Sequence, residues 1–415
     1  MQMQGLSLDQ APPYKIPMFY YIIASVYLVI FSIFTIFYAL HINSRYYYEA
    51  IAITHILTLG FFTHVMFGSL FQMVPVIIGV AYKNVTLKAK AILILLNMGT
   101  LCFVTGFFLA NKIFMFIAAL CLILALIYFA ISTFLTIIKT EDKNPTVKTF
   151  LSALILLVFG VAFGVISLIN HGSGFTSKNF ADAHISSIFF GWLIMLISGV
   201  SYKVIPMFYV TKEYPLFIKN HFYWLLSLII IMLSLLTIFD SSAIALLKII
   251  LAITTLIFSI TTIYLLKNRK RPRRDTTINL WYFSMINLSF VSIIWIYSIY
   301  FEKDLNFLLA IIFGLGFAYS IINGMLYKIV PFLTWFHLSS KMIFDAEMTL
   351  VIPSKYMKIQ YNIYIVSYFI FLLAILFKPL VYPASFLFLV SSLILSYNII
   401  NAFKYYIKLN KPILT

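Results

Sequence analysis

The seven histidines are the side chains of this sequence best suited to bind a transition metal. Imidazole nitrogen coordinates copper, zinc and heme iron. Four of them fall in two pairs, His41 with His55 and His171 with His184, and each pair flanks a segment between two apolar stretches. We therefore expect these four residues near one membrane face, as candidates for a metal or heme site. The alternative is that they bond only to water and loop carbonyls.

A second group of polar residues lies inside or beside apolar stretches. His64 lies deep in such a stretch, where ionisable groups are usually partnered and often functional. Lys248 and Asp182 are the other intramembrane polar candidates. His221 and His337 lie at the membrane border opposite the four paired histidines, where structural roles are more common. No phosphate-binding loop, zinc-protease motif or nucleophile triad occurs, so no catalytic residue is predicted.

Composition places the chain in a membrane. Of its 415 residues, 63% are hydrophobic and only 10% are charged, whereas a soluble domain carries about 25% charged residues. The N-terminus lacks a basic region followed by a cleavage site, so we expect no removable signal peptide. Cys102 and Cys121 lie in apolar stretches and are expected to be buried free thiols.

Twelve apolar stretches are long enough to cross a hydrocarbon core of about 30 Å. We therefore predict an all-α polytopic protein in contact with the lipid bilayer, with both termini on the same side. The stretches are 17–40, 50–80, 88–111, 113–139, 147–170, 181–208, 216–239, 241–267, 277–300, 304–334, 359–378 and 381–403.

The basic residues orient these stretches. Most of the 29 Lys and Arg residues follow even-numbered stretches, whereas the odd-numbered ends carry only Arg45, Lys112, Lys178, Lys303 and Lys378. The positive-inside rule therefore predicts cytoplasmic termini, in a bacterial inner membrane. The net charge of +17 is thus explained by topology, and no nucleic-acid partner is expected.

An internal repeat is the most specific pattern in the sequence. Stretches 2, 6 and 10 each contain two glycines and a proline, with the glycines fifteen and seven residues before the proline. The spacing between prolines is 131 and then 125 residues, which corresponds to four helices with their loops. The three sets are Gly60, Gly68 and Pro75; Gly191, Gly199 and Pro206; and Gly316, Gly324 and Pro331.

The repeat predicts one membrane domain, 1–415, built from three parallel four-helix units at about 17–139, 147–267 and 277–403. Glycines let helix backbones approach closely in a membrane, where packing drives association. Each proline falls near the cytoplasmic end, where a helix can stop or kink. Lys203 and Lys328 lie three residues before their prolines and are expected to extend to that interface.

Three four-helix arcs with the second helix of each facing inward resemble subunit I of the heme-copper oxidases. The resemblance covers nearly the whole chain and rests on the repeat, the topology and segments such as DAHISSIFFGWLIMLISGVSYKVIPMF at 182–208. This segment is also similar to the NnrS family, membrane proteins linked to nitric oxide stress. The resemblance implies heme or copper as a cofactor.

The ligands that the resemblance implies are only partly present. His55 matches the low-spin heme ligand of the second helix, but the tenth helix, which carries the other heme ligands in the family, has no histidine. His184 matches the copper ligand of the sixth helix, whereas the seventh helix has only His221 and no adjacent pair. An oxygen-reducing heme–copper centre is therefore not expected.

Three functions remain open from the sequence. The first is a heme- or copper-binding protein of respiration, nitric oxide tolerance or metal handling. The second is a cofactor-free transporter or channel whose pore is lined by His64, Asn323 and Lys248. The third is an assembly partner of respiratory-chain subunits.

Overall fold

The computed structural model describes residues 7–42, 44–173, 178–239, 241, 243–270, 275–343 and 345–410. Within these ranges twelve helices are long and apolar enough to cross a membrane, and no strand is present. The prediction of an all-α polytopic membrane protein is therefore confirmed. The helices are α1 Lys15–His41, α2 Tyr48–Ile78, α3 Val85–Phe108, α4 Lys112–Ile137, α5 Pro145–His171, α6 Lys178–Tyr209, α7 Leu216–Ile238, α8 Ile244–Lys267, α9 Thr276–Tyr300, α10 Asn306–Ser339, α11 Ser354–Ala374 and α12 Lys378–Leu409.

The helices form a closed ring around α2, α6 and α10. Successive four-helix units join where α4 packs on α5 and α8 on α9, and α1 packs on α12 to close the ring. In the most apolar 18-residue stretch of each helix, 67%, 72% and 67% of the residues of α2, α6 and α10 are buried. The corresponding share is 28–50% in the other transmembrane helices. Aromatic pairs join these three inner helices: Phe61 with Tyr319, Phe67 with Trp192, and Phe189 with Phe313.

The repeated glycines form one seam in each unit, against the unit's first helix. A Cβ built on any of the six would lie 2.6–3.1 Å from an atom of that helix, which is closer than ordinary packing allows. The contacts are Gly60 with Tyr27, Gly68 with Tyr20, Gly191 with Leu156, Gly199 with Phe150, Gly316 with Asn287 and Gly324 with Leu280.

Each inner helix also contains a π-helical segment, which the sequence did not predict. The segments are Ile56–Thr63, Ser186–Ile194 and Ile311–Tyr319, and each contains the first glycine of its motif. π-Helical turns are rare and are found frequently at functional sites. The interval between His55 and His64 is therefore π-helical and not part of a regular α-helix.

The prolines mark the helix ends in two units only. Gly79 and Val210 adopt left-handed backbone conformations, and their N–H groups donate to the carbonyls of Pro75 and Pro206 at 2.8 and 3.1 Å. In contrast, α10 continues past Pro331 to Ser339, beyond its predicted end at 334. The Tyr14 hydroxyl packs there, 2.9 Å from Thr334 Oγ1, and supports the extra turns.

The end of the bundle near these prolines is held by an ion pair between α9 and α10. Asp275 Oδ1 accepts the Ile278 N–H at the start of α9, and Lys328 Nζ donates to Asp275 Oδ2 at 2.7 Å. Burial alone would raise the pKa of this carboxyl, but the hydrogen bond and charge of Lys328 outweigh it and lower the pKa. Lys328 thus bridges two helices, whereas Lys203 is exposed.

Candidate metal centre in an apolar cavity

A cavity of about 930 Å³ lies at the end of the bundle where α2, α6 and α10 begin. We call this the cavity end. Its wall is mostly apolar and includes residues from all three π-helical segments, such as Phe62, Phe189 and Gly314. The π-helical segments of all three inner helices thus contribute to the wall of a cavity large enough for a ligand.

His55 and His184 lie beside each other on the wall of this cavity. Their rings have centroids 6.2 Å apart and planes inclined by 15°, and both side chains are partly exposed to the cavity. His55 directly precedes the π-helical segment of α2, and His184 lies two residues before that of α6. Residues far apart in the sequence are thus brought into one paired site.

Hydrogen bonds fix the tautomer of both rings. His55 Nδ1 lies 2.7 Å from the Ile51 carbonyl oxygen, and His184 Nδ1 lies 2.7 Å from the Gly160 carbonyl oxygen. Since a carbonyl only accepts, each neutral ring carries its hydrogen on Nδ1. Each Nε2 therefore retains a lone pair, as in metal-bound histidines, whose other nitrogen usually donates to a carbonyl or carboxylate.

The ring separation also fits a shared metal. A metal–imidazole bond of about 2.0–2.1 Å, with the ring centre about 1.1 Å behind the nitrogen, places opposed ring centroids roughly 6 Å apart. The His55–His184 separation of 6.2 Å agrees with this value. The ring separation is thus compatible with two imidazoles on one metal, such as copper(I) or heme iron.

Two glycines of α5 make room for His184. Gly160 supplies the carbonyl that accepts from Nδ1, and a Cβ on Gly164 would lie 2.7 Å from that same nitrogen. Gly160 and Gly164 form a G-x-x-x-G pattern, which favours close helix packing in membranes. This pattern is the signal in the sequence from which the close contact at α5 could be predicted.

The other two outer histidines do not join the pair. His171 lines the same cavity, where its ring packs against Tyr48 and Phe107 at centroid distances of 4.9 and 5.6 Å. His41 is exposed and is absent from the cavity wall. Among the described residues no cluster of three or more His, Cys, Asp or Glu could hold a metal. A four-ligand structural zinc site is therefore not formed by those residues.

Charged residues surround the cavity. Arg45 Nη2 lies 2.8 Å from Asp182 Oδ1 and also donates to the Tyr46 hydroxyl. Lys178 Nζ lies 5.5 Å from the centre of the Tyr46 ring, and Lys248 is a further wall residue. Burial and the nearby Asp182 charge raise the pKa of the Tyr46 phenol, against the opposing effect of Arg45. This phenol therefore stays protonated at neutral pH.

His64 lies apart from the cavity. It is fully buried, with Nδ1 2.9 Å from the Leu59 carbonyl oxygen and its ring beside Tyr20 and Tyr27. Its Nε2 atom is buried without a hydrogen-bond partner. The side chain thus packs against α1 and does not line the space that a ligand would occupy.

The third unit has a buried network of amides and phenols nearer the middle of α10, where Tyr319 and Asn323 lie twelve and eight residues before Pro331. The Gln360 amide nitrogen donates to the Tyr319 hydroxyl at 3.1 Å and to Ser391 Oγ at 2.8 Å. Asn323 Nδ2 donates to Gln360 Oε1 at 3.1 Å. Asn323 is fully buried in this network and does not line the cavity.

Comparison with known proteins does not assign the chain to a family. No protein-family model matches the sequence, and no curated protein matches it.

Proposed function

We propose that this is a metal-binding protein of the bacterial inner membrane that holds heme iron or copper between His55 and His184. The observation that carries the proposal is the pair of adjacent, nearly parallel imidazoles, each fixed by a backbone carbonyl with Nε2 left to bind. The resemblance to heme-copper oxidase subunit I and NnrS supports a role in respiration, nitric oxide tolerance or metal handling. Respiratory-chain subunits are its proposed partners.

In this proposal the chain's own residues bind and orient the group. His55 and His184 supply two neutral nitrogen donors, and the carbonyls of Ile51 and Gly160 hold the rings in place. The apolar wall, including Phe103 at 4.4 Å from His55, limits water around the donors. A bound heme or copper would supply one-electron redox chemistry.

The proposal excludes an oxygen-reducing centre. Such a centre needs more histidines than the inner ring offers, because α10 has none within its transmembrane part. His337 lies in its last turn, beyond Pro331. His221, near the start of α7, stacks on Phe217 and lies at the end of the bundle opposite the cavity. We accordingly propose binding or electron transfer at one metal.

We propose that the cavity end faces the periplasm and that both termini are cytoplasmic. The support is the distribution of charge, because most basic residues follow even-numbered helices and so collect at the opposite end. The positive-inside rule applies to short loops such as these.

A cofactor-free transporter is the second candidate, favoured by the size of the cavity. However, of the three polar residues expected to line a pore, only Lys248 is on the wall, since His64 and Asn323 are buried elsewhere. Beyond the cavity the inner helices also contact one another through the pairs Phe61–Tyr319 and Phe67–Trp192. These contacts favour a binding pocket over a continuous path.

The test is the metal and heme content of purified protein and of His55→Ala and His184→Ala variants. Each substitution removes one of two donors, so we expect occupancy to fall at least about tenfold. Gly164→Ala should also lower occupancy, because its Cβ would displace the His184 ring without removing a donor. The measurements are visible spectra and metal analysis, from cells supplied with heme and copper.

His171→Ala is the matched control, since His171 lines the same cavity outside the pair. It should retain the wild-type occupancy. A colourless, metal-free wild-type protein would contradict the proposal. An equal loss of occupancy in His171→Ala and in the His55 and His184 variants would contradict it as well.

A further inference from the structure

The few basic residues at the cavity end are concentrated on the cavity. Six Lys or Arg residues lie at this end of the helices, and four of them line the wall. Cations are disfavoured on the side of a bacterial membrane that the positive-inside rule assigns to this end. The four lining residues are Arg45, Lys178, Lys248 and Lys378, and the two others are Lys112 and Lys303.

Protein carboxylates balance only part of this charge. Asp182 is the sole acidic residue among the described residues of the wall, and it is paired with Arg45. Lys178 and Lys248 make no ion pair with any residue that the structure describes. A cation beside an apolar wall is stabilised by an anion placed against it, because the low local polarity strengthens the attraction.

The volume of the cavity exceeds the needs of a metal ion. At about 930 Å³ it lies near the upper end of the roughly 300–1,000 Å³ range of small-molecule pockets. Its largely apolar lining favours a ligand with a bulky apolar body. The size and the apolar lining favour a bulky apolar body, and Lys178 and Lys248 favour an anionic head group.

We propose that the cavity binds an anionic amphiphile, a bulky apolar body with an oxyanion head group that pairs with Lys178 and Lys248. A long-chain fatty acid and a porphyrin with carboxylate side chains both have this chemistry. The proposal adds to the metal site in the same cavity and does not depend on its metal. It predicts that removing the ligand's negative charge weakens binding while its apolar body is kept.

The experiment compares each acid with its ester. Metal-free protoporphyrin IX and its dimethyl ester form one pair of probes, and palmitic acid and methyl palmitate form the other. Trp192 and Trp295 line the cavity, so binding is followed by tryptophan fluorescence of the purified protein in detergent. At low salt the preferred acid should bind at least about tenfold tighter than its ester, and added salt should narrow the difference.

Charge variants locate the effect. The double variant Lys178→Gln/Lys248→Gln should weaken acid binding about tenfold and leave ester binding unchanged, whereas Lys178→Arg/Lys248→Arg should keep the acid affinity. The matched control is Lys112→Gln/Lys303→Gln, which removes the same charge at the same end but off the wall. A folded variant is verified by an unchanged elution profile in size-exclusion chromatography.

The outcomes separate this inference from the metal proposal. Equal affinities for acid and ester in both pairs, or an equal loss in the control variant, would overturn the inference even if the protein contains metal. A preference for either acid in a metal-free protein would support it while the metal proposal fails. Whichever acid shows the preference identifies the source, a lipid-derived chain or a macrocycle.

Discussion

The inner helices α2 and α6 share their backbone plan with α10 but differ from it in polar content. All three have two seam glycines, a π-helical segment and a proline. At the cavity end α2 and α6 place His55 and His184. In contrast, α10 has no histidine in that part, and it holds Tyr319 and Asn323 in a buried network nearer its middle.

The difference teaches which part of the motif is structural. Eight residues before the proline, α10 has Asn323, while α2 has Phe67 and α6 has Ser198. The glycines, in contrast, occupy the same seam in every unit. We infer that the glycines maintain the ring in all three units. The first two units carry the candidate site, and the third is held by its own hydrogen bonds.

The largest expected effect comes from breaking the shared seam. In Gly316→Ala the new Cβ would lie 2.6 Å from Asn287 Cγ and 2.9 Å from the Tyr368 hydroxyl. Overpacking of this kind destabilises by about 1–3 kcal/mol, and we expect the upper end because two helices are displaced. Thermal unfolding in detergent measures the change.

The chain offers a control two residues away. A Cβ on Gly314, in the same π-helical segment, meets nothing within 4 Å, so Gly314→Ala should leave the unfolding temperature nearly unchanged. Gly60→Ala in the first unit should behave like Gly316→Ala, because its Cβ would lie 2.6 Å from Tyr27 Cγ. If Gly316→Ala and Gly314→Ala unfold at the same temperature, close packing at the seam does not explain why the glycines recur at fixed spacing from the prolines in the three units.

Much of the fold follows from the sequence for simple physical reasons. Each apolar stretch is long enough to span the hydrocarbon core, so the helices are predictable one by one. The seam is predictable because a glycine has no Cβ and recurs at fixed spacing from Pro75, Pro206 and Pro331. The start of α11 at Ser354 is harder to predict from the sequence, because polar residues precede the apolar part of the helix.

The pairing of His55 with His184 is harder to predict from the sequence. His55 lies twenty residues before its proline and His184 twenty-two, so the repeat alone does not give them equivalent positions. The π-helical segments between histidine and proline change the rotation along each helix, and no residue type identifies them. The Gly160 acceptor is also invisible in sequence, because every residue has a backbone carbonyl.

An intermediate effect is expected from the network of the third unit. Gln360→Leu removes the amide that bonds Asn323, Tyr319 and Ser391 and leaves their polar groups buried. Interhelical hydrogen bonds in membranes contribute about 0.6–1.7 kcal/mol each, so we expect a loss of about 1–2 kcal/mol. Thermal unfolding measures it, and metal occupancy should not change.

The matched variant is Ser385→Ala, which removes a buried hydroxyl of α12 that has no hydrogen-bond partner. It should be close to neutral. Metal occupancy could instead fall in a Gln360→Leu variant that folds normally. The third unit would then contribute to the candidate site, and the proposed difference between the units would be wrong.

The smallest effect concerns the residue four positions after the proline, where the first two units differ. Gly79 has φ 75° and Val210 has φ 55°, and both donate to the proline carbonyl. A β-branched residue is strained in this region, so Val210→Gly should stabilise by roughly 0.5 kcal/mol after the added chain entropy of glycine is subtracted. Gly79→Val should destabilise by a comparable or larger amount. Both are measured as shifts in unfolding temperature, and a destabilised Val210→Gly variant would mean that packing of the valine side chain outweighs its backbone strain.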